Sequence, residues 1–405
     1  LGCGAQNAQM EETPEPEPPD DTGPAELTFT LPEACAGYDW RLTDGVAMSR
    51  VSLKAGESVS AAFLSAKQGV LIQWYTVPAG GVVTEYDASG AELTSRPVTF
   101  PAYLNLYAEL DPACRSVTLT VDGPCAISGV TFYGADEPLP DTVQRWEPTV
   151  EKADLLVVVS EPGPEFSELS GLLPLYAGEH GVNTLVAYVS CFDRRSRAEE
   201  ALCGLWAAGV RTYPVFLEQH ARNYDMLKIV EEDWEEDDTT AALRTLIDTY
   251  RPEVAVCHNA QDATDRFPTR GFTARCLQTA AGEAEWQVKK LYLRASVDED
   301  GVAPTGATAP DFTVRLGKFA GASAEEAAQS IYKTYATQQV FARAIDDAPA
   351  FLLDRTTVGP DEACNDLFEH IDTAALTRYE ALTAPPAVTA EPVPPVDGTE
   401  QGGTE

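Results

Sequence analysis

One uninterrupted stretch, Asp154-Leu155-Leu156-Val157-Val158-Val159-Ser160, constrains the fold more than any other segment of the chain. A strand with no polar residue among its central positions has no face to give to water, so it must be covered on both sides, as in a parallel sheet. Downstream, helical and strand-like segments alternate. The pattern predicts a helix over about Glu168–Glu179, a strand Asn183–Val189, a helix over about Ser196–Ala208 and a strand Arg211–Phe216. A helix near Thr239–Thr249, strands Val254–His258 and Gln287–Leu293, and a long helix over about Ala324–Ala344 follow. Such alternation implies a parallel sheet with right-handed crossovers over residues 150–383. Ligands of such sheets sit at the carboxyl ends of the strands. The segments to search are therefore Ser160–Phe166, Ser190–Arg197, Leu217–Asn223 and His258–Arg270.

The first third of the chain has another rhythm. Leu27–Thr30, Val51–Lys54, Val59–Leu64, Val70–Thr76, Val83–Tyr86, Leu104–Tyr107, Ser116–Val121 and Ile127–Tyr133 are short, rich in β-branched or aromatic residues, and separated by Gly, Pro, Asp or Ser. Ser116-Val117-Thr118-Leu119-Thr120-Val121 alternates with period two. Strands at this spacing predict an all-β sandwich over residues 25–140. Most of its aromatics, Tyr38, Trp40, Trp74, Tyr75, Tyr86 and Tyr103, are core by default, with at most about two expected at the surface, where a sugar-stacking platform is one use for them.

The chain has 28 Lys+Arg against 64 Asp+Glu, a formal charge of −36. That balance excludes a nucleic-acid partner, because phosphates would be repelled. No apolar run approaches the roughly 18–20 residues of a membrane-spanning helix. Leu1-Gly2-Cys3 resembles the end of a bacterial lipoprotein signal, so Cys3 is the expected lipidation site and the only membrane link, at the cell surface and outside the cytoplasm. Residues 1–24, with the Pro-rich acidic stretch Glu11–Pro24, and the similar tail 384–405 read as extended spacers that bury too little to fold. The eight further Cys suit disulfides in an oxidising compartment, with Cys191–Cys203 and Cys257–Cys276 as local pairings.

Several segments resemble the PIG-L-type metal-dependent de-N-acetylases. Leu155–Gly178 is similar to that family's opening strand and the His-Pro/Ala-Asp-Asp-Glu motif that follows it. Gly204-Leu205-Trp206, Gly209-Val210-Arg211 and Tyr213-Pro214-Val215 resemble its third-strand region. Trp286–Leu293 and Arg355–Asp361 resemble segments of a secreted bacterial subgroup that carries an N-terminal β-sandwich. The fold this implies is an α/β Rossmann-like parallel sheet preceded by the sandwich. The implied activity is removal of an acetyl group from an N-acetylated amino sugar. In that reaction a zinc ion held by His, Asp and His polarises the amide and a neighbouring Asp takes a proton from water.

Carried over position by position, that machinery is incomplete. The ligand His falls on Glu161, the base on Gly163, the ligand Asp on Pro164 and the closing Glu on Glu165. The later His-Asp pair is His258-Asn259, and the two His beyond it fall on Arg266 and Thr269. A His common in the subgroup, near Tyr335–Gln338, is replaced by Tyr335. The expectation is a protein without cofactor that binds a glycan or amino sugar, or a surface protein, without hydrolysing it. The alternatives are a deacetylase with a substituted zinc site built from Glu161, His258 and Asp265, helped by Glu165 and Asp262, and a non-enzymatic scaffold. The plainer reading of Glu161 and Glu165 is solvated loop carboxylates in a chain with 64 Asp and Glu. Arg197 and Glu200 resemble an Arg-x-x-Glu feature near the sugar site. With Arg194, Arg195, Arg266 and Arg270 they make a candidate saccharide or anion clamp, against the plainer reading of surface ion pairs with Asp193, Glu199 and Asp265. No Gly-x-Ser-x-Gly elbow and no Gly-rich phosphate loop is present.

Overall fold

The computed structural model describes residues 26–46, 48–98, 105–147, 152–192, 195–217, 219–260, 267–295, 302–337 and 349–382. Cys3, both acidic tails, Tyr103, Asp193, Arg194, Asp262, Asp265, Arg266 and Gln338 lie outside the described residues. The chain divides into two compact units, Leu1–Leu139 and Pro140–Glu405.

Among the described residues the first unit has nine strands. β1 (Leu27–Thr30), β3 (Ser58–Phe63), β5 (Gly81–Tyr86), β6 (Glu92–Val98) and β8 (Ser116–Val121) form one antiparallel sheet in the order β1-β3-β8-β5-β6. β2 (Val51–Leu53), β4 (Lys67–Thr76), β7 (Asn105–Glu109) and β9 (Cys125–Gly134) form the other, in the order β2-β9-β4-β7. Alternation decides which side chains face inward: Val117, Leu119 and Val121 of β8 enter a core shared with Val70, Ile72 and Trp74 of β4. Two sheets closed over one core make a sandwich. On the outer face of β8, Thr118 and Thr120 pair with Ser60 and Ser58 hydroxyls at 2.8 Å. β6 escapes sequence reading because it is polar and contains Pro97, which is tolerated only at a sheet edge, where β6 lies.

The second unit holds a six-stranded sheet. β10 (Leu155–Val159), β11 (Thr184–Tyr188), β12 (Val215–Phe216), β13 (Val254–Cys257), β14 (Lys290–Ala295) and β15 (Ala350–Thr356) lie in the order β12-β11-β10-β13-β14-β15. The first five run parallel and β15 runs antiparallel to β14, so the sheet is mixed rather than purely parallel. Leu155, Val157 and Val159 enter a core on one face, and Leu156 and Val158 enter a second core on the other. Burying each such side chain contributes roughly 1.5–3 kcal/mol. The order in which strands are added reverses about β10, to β11 and β12 on one side and to β13 and β14 on the other, which places a crevice at the carboxyl ends of β10 and β13.

Some helices differ from the expected ones. The helix expected over Glu168–Glu179 is instead a short turn, α1 (Pro164–Ser167), and a wide helical turn, Pro174–Glu179, interrupted by Gly171 and Pro174. α2 (Arg195–Ala207), a brief α3 (Met226–Lys228) and α4 (Glu236–Tyr250) come next. α5 (Pro268–Glu283) is the helix on which Cys276 was expected after the strand ending at His258, but its bounds were not legible: Gly271, Ala274, Ala280 and Ala281 are all buried, and a helix covered on most sides has no polar stripe to mark its extent. α6 (Ala324–Tyr332) starts at a capping box between Ser323 and Glu326. Among the described residues no helix is long and apolar enough to cross a membrane.

The proposed disulfides are corrected. Cys203 is a thiol, which leaves Cys191–Cys203 unformed, and Cys257 and Cys276 are thiols sharing one core. There they pack as small hydrophobes. Burial raises both, Cys276 to about 11.

Candidate functional site

At the carboxyl end of β10 the chain turns through Ser160-Glu161-Pro162-Gly163 into α1, and at the end of β13 it continues into His258. His258 is fully buried, and both ring nitrogens are engaged. The Ser160 backbone N–H donates to Nε2 at 3.0 Å. An amide can only donate, so Nε2 carries the lone pair and Nδ1 the proton, which faces Oε2 of Glu168 at 3.1 Å. The other Glu168 oxygen pairs with Arg270 in the first turn of α5. Arg270 also lies 3.9 Å above the Phe267 ring, and Arg294 Nε donates to the Glu168 carbonyl at 3.1 Å.

Glu165 forms a second closed cluster. It is fully buried: Oε2 accepts the Gly163 N–H at 2.6 Å, and Oε1 accepts the hydroxyls of Tyr188 at 2.9 Å and Tyr335 at 2.8 Å. Burial raises its carboxyl to about 7, against those hydrogen bonds, which favour the ionised form. Glu161 is 7% exposed and accepts from Thr269 Oγ1 at 3.5 Å. Reading these two carboxylates as solvated loop groups is thus corrected, since α1, α5 and the Tyr335 turn close over them. Tyr335, noted in sequence only as a replaced His, serves as a donor to Glu165. Glu168 was missed altogether, because nothing distinguishes an acidic residue between Ser167 and Leu169 from a surface one.

Of the expected arginine clamp, Arg195, Arg197 and Arg270 are described, and each has its own protein partner. Arg197, on α2, is 9% exposed with its guanidinium 4.8 Å above the Phe192 ring. Glu200 accepts the N–H and hydroxyl of Thr337 at 2.7 and 2.5 Å. Arg195 pairs with Glu199 along the helix at 3.2 Å.

The described residues do not fit a zinc ion. Pro164 has no donor atom, and the His258 lone pair is taken by an amide. Gly163 has φ 118°, a conformation that L side chains rarely adopt, so a carboxylate base at that position would be strained. No group of three or more His, Cys, Asp or Glu able to hold a metal occurs among the described residues.

A different surface is open in the sandwich. The turn Asp39–Leu42 is pinned by Leu42, which is 1% exposed in the core, and this throws its neighbours outward. Tyr38 is 45% and Trp40 54% exposed, whereas Trp74 is buried. The Arg41 guanidinium lies 4.3 Å from the Tyr38 ring centroid and 5.3 Å from that of Trp40. Arg41 Nη1 donates to the Arg50 carbonyl at 3.4 Å, and Arg50 in turn covers the Tyr75 ring at 4.1 Å. Val46 and Met48, on the same stretch of chain, are also exposed.

No family model matches the chain, and no curated protein matches it. Among solved structures, the lectin domain of lectinolysin complexed with Lewis B antigen is similar at 10% identity over 27% of this chain and 92% of that one, with a TM-score of 0.23. A fucose-binding module of Streptococcus pneumoniae matches at 15% identity over 27% of this chain and 89% of that one, also at 0.23. The 4-carboxy-2-hydroxymuconate hydratase of Pseudomonas putida KT2440 matches at 16% identity over 52% of this chain and 99% of that one, with a TM-score of 0.35. Likenesses of this size assign neither an activity nor a ligand.

Proposed function

We propose that this chain is a non-catalytic glycan-binding protein, in which an α/β unit of PIG-L type has lost its metal site and the sandwich presents the sugar-contacting surface. The observation that carries the reading is Trp40, half exposed beside Tyr38 and braced by Arg41. Large aromatic faces held open to water are normally withdrawn into a core, and a group of them with a stacked Arg suits the apolar face and ring hydroxyls of a sugar. The plugged crevice at His258 and Glu165 supports the absence of hydrolysis: each acid-base group there is committed to a partner inside the protein. The ligand class proposed is an N-acetylated amino sugar or its oligomer. In this reading Cys3 is the anchoring residue at the cell surface, which a lipid mass increment on the N-terminal peptide would test.

The test is calorimetric titration of N-acetylglucosamine oligomers into the full chain, alongside an acetate-release assay with added zinc. Binding that is lost in Trp40→Ala, without acetate release, is the expected result. Zinc-dependent acetate release would establish the enzyme instead, and no binding to any oligomer would leave a protein scaffold.

A further inference from the structure

At the amino-terminal end of the second unit's sheet, opposite the plugged crevice, lies an open cleft of about 440 Å³. Its floor includes Asn183 and Thr184 at the start of β11 and Thr212 before β12. Gly181 and Gly209 line it in left-handed turns at φ 63° and 93°. At Gly181 a Cβ would stand 3.0 Å from Nε of Arg378 and from Oε1 of Glu380, so glycine lets that ion pair lie directly against the backbone. The volume falls within the roughly 300–1,000 Å³ of small-ligand sites.

The cations of the cleft are what set it apart in a chain of charge −36. Arg211, Lys318 and Arg378 line it, with the carboxylates Glu147 and Glu380. Lys318 and Arg378 both pair with Glu380, at 2.7 and 2.5 Å. Arg211 differs. Its guanidinium lies 4.0 Å over the Trp206 ring, and Nη1 donates to the Trp206 and Val210 carbonyls at 2.8 and 3.0 Å. Nε and Nη2 have no acceptor among the described residues, and no carboxylate comes within ion-pair distance. Arg211 is held below its ordinary pKa, first by partial desolvation and then by the positive charges of Arg145 and Arg378, with Glu147 opposing. Like charges are thus gathered around a guanidinium whose orientation is fixed in advance by Trp206. Fixing a donor before the ligand arrives lowers the ordering cost of binding.

We propose that this cleft binds a small oxyanion-bearing ligand of monosaccharide size, a carboxylated or phosphorylated sugar, with Arg211 as its forked contact and Arg378 and Lys318 at the rim. Three of the five guanidinium N–H groups of Arg211 are available, enough for a bidentate hold on a carboxylate or phosphate. The threonine hydroxyls do not compete: Thr184, Thr212 and Thr377 donate to Val182, Asn183 and Asp154.

The experiment is calorimetry on the full chain at low salt with four probes: glucuronate, glucose 6-phosphate, inorganic phosphate and neutral glucose. One or both sugar anions should bind while glucose does not, and the preferred anion identifies the source of the charge. Arg211→Gln should weaken that binding about tenfold or more, while lowering the melting temperature only by the modest amount its two carbonyl contacts and the Trp206 stack contribute. Raising the salt should weaken it further, because the cleft is open to solvent. Trp40→Ala should leave it intact, which separates this site from the sandwich surface. Equal binding of glucose, unchanged affinity in Arg211→Gln, or no anion binding up to about 10 mM would each overturn the proposal.

Discussion

Nε2 of His258 accepts the backbone N–H of Ser160 at 3.0 Å, and this single contact fixes the tautomer of the histidine that directly follows β13. With Nδ1–H facing Glu168, the ring cross-links β10, β13 and the loop after α1 as a neutral group. A zinc ion at this position would have to displace a main-chain hydrogen bond.

The first prediction follows from that arrangement. Dialysis against a chelator, or addition of zinc, is expected to leave the melting temperature of the full chain unchanged. His258→Ala is expected to destabilise by about 1–3 kcal/mol in urea unfolding, because it strands the Ser160 amide and one Glu168 oxygen in the interior. A zinc-dependent rise in melting temperature that disappears in His258→Ala would mean that the metal takes this nitrogen.

Glu165 leads to a pH dependence. Its folded-state carboxyl is raised by burial from the ordinary 4.5 to about 7. The folded protein therefore binds a proton there that the unfolded chain releases, and its contribution is complete below about 4.5 and lost as pH rises through 7. From this group the stability should fall by about 3 kcal/mol between those limits. Denaturant midpoints measured across pH 4.5–7 should show the slope in the wild type, and Glu165→Gln should remove it. Tyr188 and Tyr335 stay protonated throughout, since burial raises both well above their usual range.

The sequence makes some of this architecture legible and conceals the rest for physical reasons. The β10 run and the alternation of β8 are readable because burial on two faces or on one leaves a direct mark on the order of residues. β15 and β6 lie at sheet edges, where packing constrains only part of the strand, and the small buried residues of α5 conceal its bounds. In the crevice, the same letters stand for opposite environments: Glu165 is fully buried, while Glu199 pairs with Arg195 at the surface. The partners that bury Glu165 arrive from β11 and from Tyr335, 170 residues away. Tyr38 and Trp40 face the related difficulty that Trp74, an equally plausible surface aromatic by composition, belongs to the core.

The sandwich surface gives a third prediction. Trp40 lies in a turn anchored by Leu42 rather than by its own ring, so Trp40→Ala should change unfolding free energy by less than about 0.5 kcal/mol. The same variant should lose glycan binding by about tenfold or more, as expected for a central aromatic contact. Leu42→Ala supplies the contrast: a loss of about 2–5 kcal/mol in stability, read by denaturant titration. If both variants lost stability equally, Trp40 would be a packing residue and the surface would have no claim to a ligand.

The last prediction concerns Lys290, a side chain with no solvent exposure at the first position of β14, in register with Val254 of β13 and Thr356 of β15. Its partner is Asp361, whose carboxylate also accepts the hydroxyls of Tyr292, at 2.7 Å, and of Thr308. Burial alone would raise Asp361, but the hydrogen bonds and charge of Lys290 prevail and hold it below the usual carboxylate value. Removing one partner leaves the other charge desolvated, so Lys290→Met and Asp361→Asn should each cost about 3–5 kcal/mol. The double variant should cost clearly less than the sum, since it removes both charges and leaves a neutral amide for Tyr292 and Thr308. Urea unfolding of the four proteins measures the cycle. Strict additivity would show that the two charges do not stabilise one another, and that the segment Arg355–Asp361 is held against the sheet by the pairing of β14 with β15 alone.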